Sequence, residues 1–258
     1  HSRKYFSSKR MVWSISISLE KKILIRENIA EYMQQLRNWT EEVKDTGLEE
    51  MAAFFRARLD GYEEHMSLWS RAYKYMGTLV PENVESLLDL GCGTGLELDE
   101  ILQGRSKLEV TGIDLSEDML GRLSAKHPQV HTIRADYFRY DFGKEIYDMV
   151  VSFESLHHFK PEKKLGLYRK IYNALKTGGI FIEADYIACC EDEEKLLMNL
   201  CDAKREKEGI EEEVFVHFDT PLTAEHEMEL LETAGFSRVE MIECIDGAVF
   251  IRAEKEVL

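Results

Sequence analysis

The stretch LLDLGCGTGLE, Leu87 to Glu97, sets three glycines within five positions directly behind an apolar run that contains one acid, Asp89. An apolar run, a glycine-rich turn and a following helix let the backbone approach a ligand closely and aim helix N–H groups at it. In open parallel sheets such ligands bind at the carboxyl ends of the strands, where the strand order reverses. The spacing here is G-x-G-x-G, whereas the dinucleotide fingerprint is G-x-G-x-x-G. Position 96 is Leu, and Glu97 follows in the first helical turn, a poor neighbour for a pyrophosphate. A ligand with a cationic end fits better. A carboxylate inside an apolar strand is costly without a dedicated partner, which for Asp89 is either the turn amides or the ligand. Asp114 lies 19 residues beyond Gly95, the place for an acid that holds two ribose hydroxyls, and Asp136 can accept from an exocyclic amine of adenine.

Outward from this turn, short β-rich runs alternate with helical stretches. SLLDL precedes a helix from Thr94, LEVTGID a helix from Ser116, and VHTIRA follows. YDMVVSF then precedes a helix from Pro161, and GIFIEAD leads into an insertion, a helix near Ala224 to Ala234, and the runs SRVEMIE and AVFIRAE. Strict alternation predicts right-handed βαβ units and an α/β fold with a mostly parallel, Rossmann-like sheet covered on both faces. Ser116 with Glu117 and Asp118 behind it reads as a helix N-cap, and Gly178-Gly179 as the stop of the preceding helix. The Asp246-Gly247 turn, with no helix around it, predicts an antiparallel hairpin of the last two runs. From Lys21 to Tyr75 the pattern is helical, with Gly61 and Gly77 as punctuation and Pro81 closing it.

The chain of 258 residues is long enough for one well-buried domain, with 44% hydrophobic and 10% aromatic residues. No apolar run approaches the roughly 20 residues of a membrane span. MVWSISISL is interrupted by serines and meets Glu20, which makes a poor signal peptide. Cys92, Cys189, Cys190, Cys201 and Cys244 show no metal-ligand spacing, and reduced thiols in a cytoplasmic protein are the expectation. The net charge of −16 would repel phosphate backbones, so a nucleic-acid partner is disfavoured. Residues 1 to 26 are nevertheless basic. Their alternation Trp13, Ile15, Ile17, Leu19 suggests a strand-like arm, Met11 to Leu19, that packs across a two-fold partner in a homodimer.

The runs DLGCGTG, GIDLS, RADYF, YDMVVSFESLHHF and LKTGGIFIEAD together resemble the successive motifs of the class I S-adenosylmethionine-dependent methyltransferases, and FFRARLDGYEEHM with HFDTPLT resembles a small-molecule branch. The resemblance spans about Leu48 to Lys255. It implies a seven-stranded sheet of order 3-2-1-4-5-7-6 with strand seven reversed. It implies residues 1–47 as an N-terminal extension and 48–258 as the methyltransferase domain, with a cap insertion at 186–222. It places Gly91, Gly93 and Gly95 by the methionine moiety of S-adenosylmethionine, with Asp89 towards the same end and Cys92 in the same turn. Asp114 would take the ribose, Leu115 and Met119 the adenine faces, Asp136 and the Tyr137 backbone the adenine edge, and Phe153 would complete the cofactor set.

Methyl transfer from a sulfonium is an in-line displacement with a good leaving group, so positioning and desolvation carry most of the acceleration. A base helps only where the acceptor, an O, N or S nucleophile, starts protonated. SFESLHHF offers Glu154, His157 and His158, with His158 facing the acceptor as base or orienting group and one of the two histidines structural. No metal is expected, since no further ligand set accompanies the histidine pair. Two covers are expected to choose the acceptor: the segment before Pro81, with Tyr62, His65 and Trp69, and the insertion, with Phe215, His217 and Phe218. A non-catalytic sensor of the cofactor and a nucleotide-dependent oxidoreductase are the competing readings.

Overall fold

A computed structural model describes residues 28–256; the strand-like arm Met11 to Leu19 lies outside the described residues. Three helices come first: α1 (Ile29–Val43), α2 (Met51–Met66) and, after a short 3₁₀ turn, α3 (Ser70–Leu79). The sheet region then runs β1 (Ser86–Leu90), α4 (Leu96–Ile101), β2 (Glu109–Asp114), α5 (Glu117–Lys126), β3 (His131–Arg134), β4 (Tyr147–Phe153), α6 (Pro161–Ala174) and β5 (Leu175–Asp185). It closes with α7 (Glu191–Glu208), α8 (Ala224–Ala234), β6 (Arg238–Ile245) and β7 (Ala248–Glu254).

The seven strands lie in the order β3-β2-β1-β4-β5-β7-β6, with β7 antiparallel to both neighbours. This is the α/β topology expected from the sequence. β1 sits between β2 and β4 and is buried on both faces, which explains why SLLDL is a continuous apolar run rather than an alternating one. On one face Leu87, Met149 and Val151 pack with Ala72, Met76, Leu98 and Leu123 from α3, α4 and α5. On the other, Leu88, Val150 and Phe181 pack with Tyr168, Ile171 and Leu231 from α6 and α8. The hairpin turn is as predicted, with both Asp246 and Gly247 at positive φ, as a two-residue turn matched to strand twist requires.

Local signals explain most boundaries. The Ser116 hydroxyl accepts from the Met119 N–H at the start of α5, and the Thr223 hydroxyl accepts from the His226 N–H at the start of α8. Three glycine readings need correction. Gly61 lies inside α2, where packing outweighs a glycine cost of about 1 kcal/mol. Gly77 lies inside α3 at a close approach: an added Cβ would sit 3.1 Å from the Glu100 carbonyl oxygen of α4. Gly178 and Gly179 belong to β5, because α6 already ends at Ala174 and the buried Leu175 pairs with Tyr147. The helix after the glycine turn begins at Leu96, not Thr94, since Gly95 takes the left-handed cap position.

The insertion after β5 folds over the carboxyl end of the sheet together with the N-terminal helices. Met51 N–H donates to the Phe215 carbonyl, and His217 N–H to the Glu49 carbonyl, so the two segments form one covering layer. Behind it α1 packs on α7 through Tyr32, Met33, Leu36 and Leu197, and the Lys204 ammonium donates to the Val43 carbonyl at the end of α1. Helix α1 is thus part of the cover.

Candidate active site

The turn after β1 is as tight as its glycines allow. Gly91, Gly93 and Gly95 all have positive φ. A Cβ on Gly91 would meet the Ser155 hydroxyl at 2.0 Å, and one on Gly95 would meet a Leu123 methyl at 2.4 Å. Asp114 stabilises the turn from β2. One of its oxygens accepts from Gly93 N–H at 3.0 Å and the other from Ser116 N–H at 2.7 Å. Burial raises its carboxyl, and these backbone donors oppose the rise.

Below the turn, Asp89 is fully buried, and neither of its oxygens nor the buried Thr94 hydroxyl accepts a bond from a donor among the described residues. Glu97, also buried, stands against it. Burial pushes both carboxyls up, Glu97 to about 8. Two buried acids without a cation are unfavourable alone and favourable beside an ammonium group. Cys92 turns its thiol into the core against Gly112, so in this turn only its backbone is left to face a ligand.

The cavity above encloses about 670 Å³ including its open mouth, a size suited to a small-molecule site. Gly91, Gly93, Asp114, Leu115, Met119, Asp136, Tyr137, Phe153, Glu154 and His158 line it, with Tyr62 and Phe215 from the two covers. Asp136 accepts from Phe138 N–H at 2.8 Å, and the Tyr137 carbonyl accepts from Lys170 at 2.8 Å. Asp89 and Gly95 lie under the turn rather than in the cavity wall. Met51, Ser116, Ser155 and Phe159 also line it, although sequence reasoning did not select them. Ser155 stands next to Glu154 in a segment already singled out, and only the steric contact with Gly91 reveals its place.

A second chamber adjoins the first. Phe55, Tyr62, Glu154 and His158 line both, and Phe54, His65, Met66, Trp69, His157, His217 and Asp219 complete the second. Glu154 adopts φ 46°, an uncommon conformation for a residue with a side chain, at the end of β4. The two adjacent histidines differ sharply. His157 is gripped at Nδ1 by Asp185 and lies 3.5 Å from Asp219 through Nε2, with Glu154 4.0 Å from Nδ1. Burial opposes its charge, but the aspartates prevail and hold its pKa at about 10. His158 is pushed well below the usual histidine value by burial and by the charged His157 beside it. Its Nδ1 lies 3.2 Å from the Phe218 carbonyl, which can only accept, so Nδ1 carries the proton and Nε2 keeps a lone pair.

The same geometry bears on metal binding. His157, His158 and Asp219 bring ligand-type atoms within 4.8 Å of one another, as do Glu154, His157 and Asp185. Both nitrogens of His157 are already engaged by aspartates, and His158 Nδ1 donates to a carbonyl, so a metal would have to displace existing bonds at each. His217 stacks flat on Phe54 at 3.5 Å, and burial pushes its pKa down to about 4. Phe218 is buried in the cap with Val216 and Cys201, a packing role.

A sheet of this order with its reversed β7, bearing a glycine turn braced by an acid at the end of β2, has the fold of the class I S-adenosylmethionine-dependent methyltransferases. Residues 87–179 match a family described as methyltransferase domain. Among curated relatives, the carboxy-S-adenosyl-L-methionine synthase of Nitratiruptor sp. is 29% identical over 196 residues, 70% of this chain and 79% of that protein. The synthase of the same name from Nautilia profundicola is 26% identical over 170 residues, 61% and 72% of the two chains. Among solved structures, human N-acetylserotonin methyltransferase in complex with S-adenosylmethionine superposes with TM-score 0.59 at 21% identity, over 81% of this chain. The chain spans only 59% of the length of that protein. An S-adenosylmethionine-dependent methyltransferase from Mesorhizobium loti gives TM-score 0.52 at 21% identity, over 72% of this chain and 96% of its own.

Proposed function

We propose that the protein transfers the methyl group of S-adenosylmethionine to a small molecule held in the second chamber, by in-line displacement. The observation that carries this reading is the wall common to both cavities, where His158 presents a neutral imidazole with a lone pair on Nε2. The cofactor's residues follow from the donor set. Asp89 and Glu97 suit the amino end of the methionine moiety, with the glycine turn against its backbone; Asp114 suits the ribose hydroxyls. Leu115, Met119 and Phe153 suit the adenosine faces, and Asp136 the adenine amine. The bound group supplies an activated methyl on a sulfonium. The protein positions it, excludes water and removes a proton from the acceptor, with His158 as base and Glu154 as orienting group. His157 holds the Asp185 and Asp219 carboxylates together and is structural in this reading. Tyr62, His65, Phe215 and His217 shape the acceptor space from the covers.

The carboxy-S-adenosyl-L-methionine synthases suggest a second reading, in which the product carries a carboxylate on the transferred carbon. Against it, neither cavity wall contains a lysine or arginine among the described residues to meet that carboxylate, and the acids there would repel it. Incubation with S-adenosylmethionine and pooled small acceptors, read by mass spectrometry, separates the readings. Methylated acceptor with S-adenosylhomocysteine supports transfer, carboxylated cofactor supports the synthase reading, and binding without turnover would make the protein a sensor. A cytoplasmic setting suits five free thiols, and no described helix is long and apolar enough to cross a membrane.

A further inference from the structure

Another cavity shares His158, Phe159 and Phe215 with the first and opens between the start of α6, the face of α7 that bears Met198 and Arg205, and residues 212–220. It encloses about 1160 Å³ including its open mouth. We propose that this cavity binds the carboxylate of a small organic acid, with Lys163 and Arg205 as counter-charges and Phe159, Met198 and Phe215 against its hydrocarbon part. The inference goes beyond the transfer reading and does not rest on it.

The charges lining this cavity are unevenly matched. Lys160 holds two carboxylates, Asp202 at 2.9 Å and Glu212 at 2.7 Å. Lys163 and Arg205 hold none, since neither makes an ion pair among the described residues. They donate to neutral carbonyls instead: Lys163 to Glu212 at 3.2 Å, and Arg205 to Glu211 and Val214 at 2.9 Å each. An ammonium has three N–H donors and a guanidinium five, so donors remain on both. The two cations also oppose one another. Burial and the Arg205 guanidinium push the Lys163 ammonium below the usual lysine value. Like charges on one half-buried wall are relieved by an anion and aggravated by a cation. Lys163 is held ready for that role, with Nζ 4.6 Å from the centroid of the Phe215 ring.

The rest of the lining decides the kind of anion. Phe159, Pro161, Met198, Phe215 and Val216 offer an apolar surface for a hydrocarbon body. Glu162, Asp202 and Glu212 also line the cavity and are exposed, which places them towards its mouth. Their charge opposes a dianionic phosphate more than a monoanionic carboxylate. An organic acid with its carboxylate between Lys163 and Arg205 satisfies both the cations and the apolar wall.

Calorimetric titration of the full chain with 3-phenylpropionate, its neutral amide and inorganic phosphate tests this. The acid should bind at least about tenfold more tightly than the amide, and more tightly than phosphate. Lys163→Met keeps an unbranched chain over Phe215 but removes the charge. It should weaken the acid at least about tenfold and the amide less than about twofold, whereas Lys163→Arg should stay within about threefold of wild type for the acid. Equal binding of acid and amide, tighter binding of phosphate, or an acid affinity untouched by Lys163→Met overturns the proposal. Should Lys163→Met fail to fold, Lys163→Gln takes its place, and the wild-type series decides the charge preference by itself.

Discussion

The floor and the cover of the site are built in opposite ways. The floor comes from short contiguous segments, each at the end of a parallel strand: the turn after β1, Asp114 ending β2, Asp136 after β3 and Phe153-Glu154 where β4 ends. The cover comes from segments far apart in the chain. Met51 pairs with Phe215, Glu49 with His217, and Val43 with Lys204. A floor made of local turns needs particular residues at particular spacings, because backbone conformation and close approach leave few alternatives. A cover made of distant side chains can meet the same packing need with many residue types. Cofactor binding therefore should depend on a few positions absolutely, and acceptor binding on many positions partially.

The largest effect should come from the floor. Gly91→Val, with a side chain driven into Ser155 at positive φ, should abolish measurable S-adenosylmethionine binding, and retained micromolar affinity by calorimetry would show that the turn is not the contact surface. Asp114→Ala should weaken that affinity by about 10²–10⁴-fold, from two charge-assisted bonds of about 1.5–3 kcal/mol each. His158→Ala, on the common wall, should lower turnover by about 10²–10⁴-fold while cofactor affinity changes little, the usual worth of a positioned base. Equal losses in affinity and turnover would make His158 structural. If His157→Ala is damaging and His158→Ala silent, the choice between the neighbours is wrong.

Smaller effects belong to the cover and to titration. Asp219→Asn weakens the link between the insertion and His157 and should cost about 1–3 kcal/mol in urea unfolding, with cofactor affinity preserved. The buried acids of the floor give a pH dependence of definite sign. Glu97 titrates near its ordinary 4.5 when unfolded and at about 8 when folded, so the folded state binds the extra proton between these values. Its contribution is complete below about pH 4.5 and is lost as pH rises through about 8. The melting temperature of the free protein should fall from pH 6 to pH 9, less steeply with saturating S-adenosylmethionine; a rise would refute the placement of Glu97. The smallest effect concerns residues 1–27. Their removal should leave activity intact and, on the homodimer proposal, halve the mass seen by light scattering. Truncation as far as residue 38 would cut into α1 and confuse the two outcomes.

The sequence reveals the floor and the fold because both rest on periodicity and punctuation. Alternation of strand and helix and the Asp246-Gly247 turn suffice for the hairpin, and the Ser116 cap lies where its side chain demands. The two adjacent histidines were readable only as a pair. What separates His157 from His158 is Asp185 at the end of β5 and Asp219 in the insertion, neither of which a local window contains. The glycines misled in the other direction. Gly61 and Gly77 look like helix breaks in one dimension, yet one is absorbed by packing and the other serves a contact with α4.

The pairing of Glu50 with Val216 also has a consequence during synthesis. At about 5–20 residues per second, Glu50 is added to the chain some 8–33 s before its partner exists. The five parallel strands are complete by Asp185, well within that interval. A nascent chain can thus assemble the turn and its strand ends before the second chamber has walls, and docking the segment after β5 onto the waiting N-terminal helices becomes a late, long-range closure.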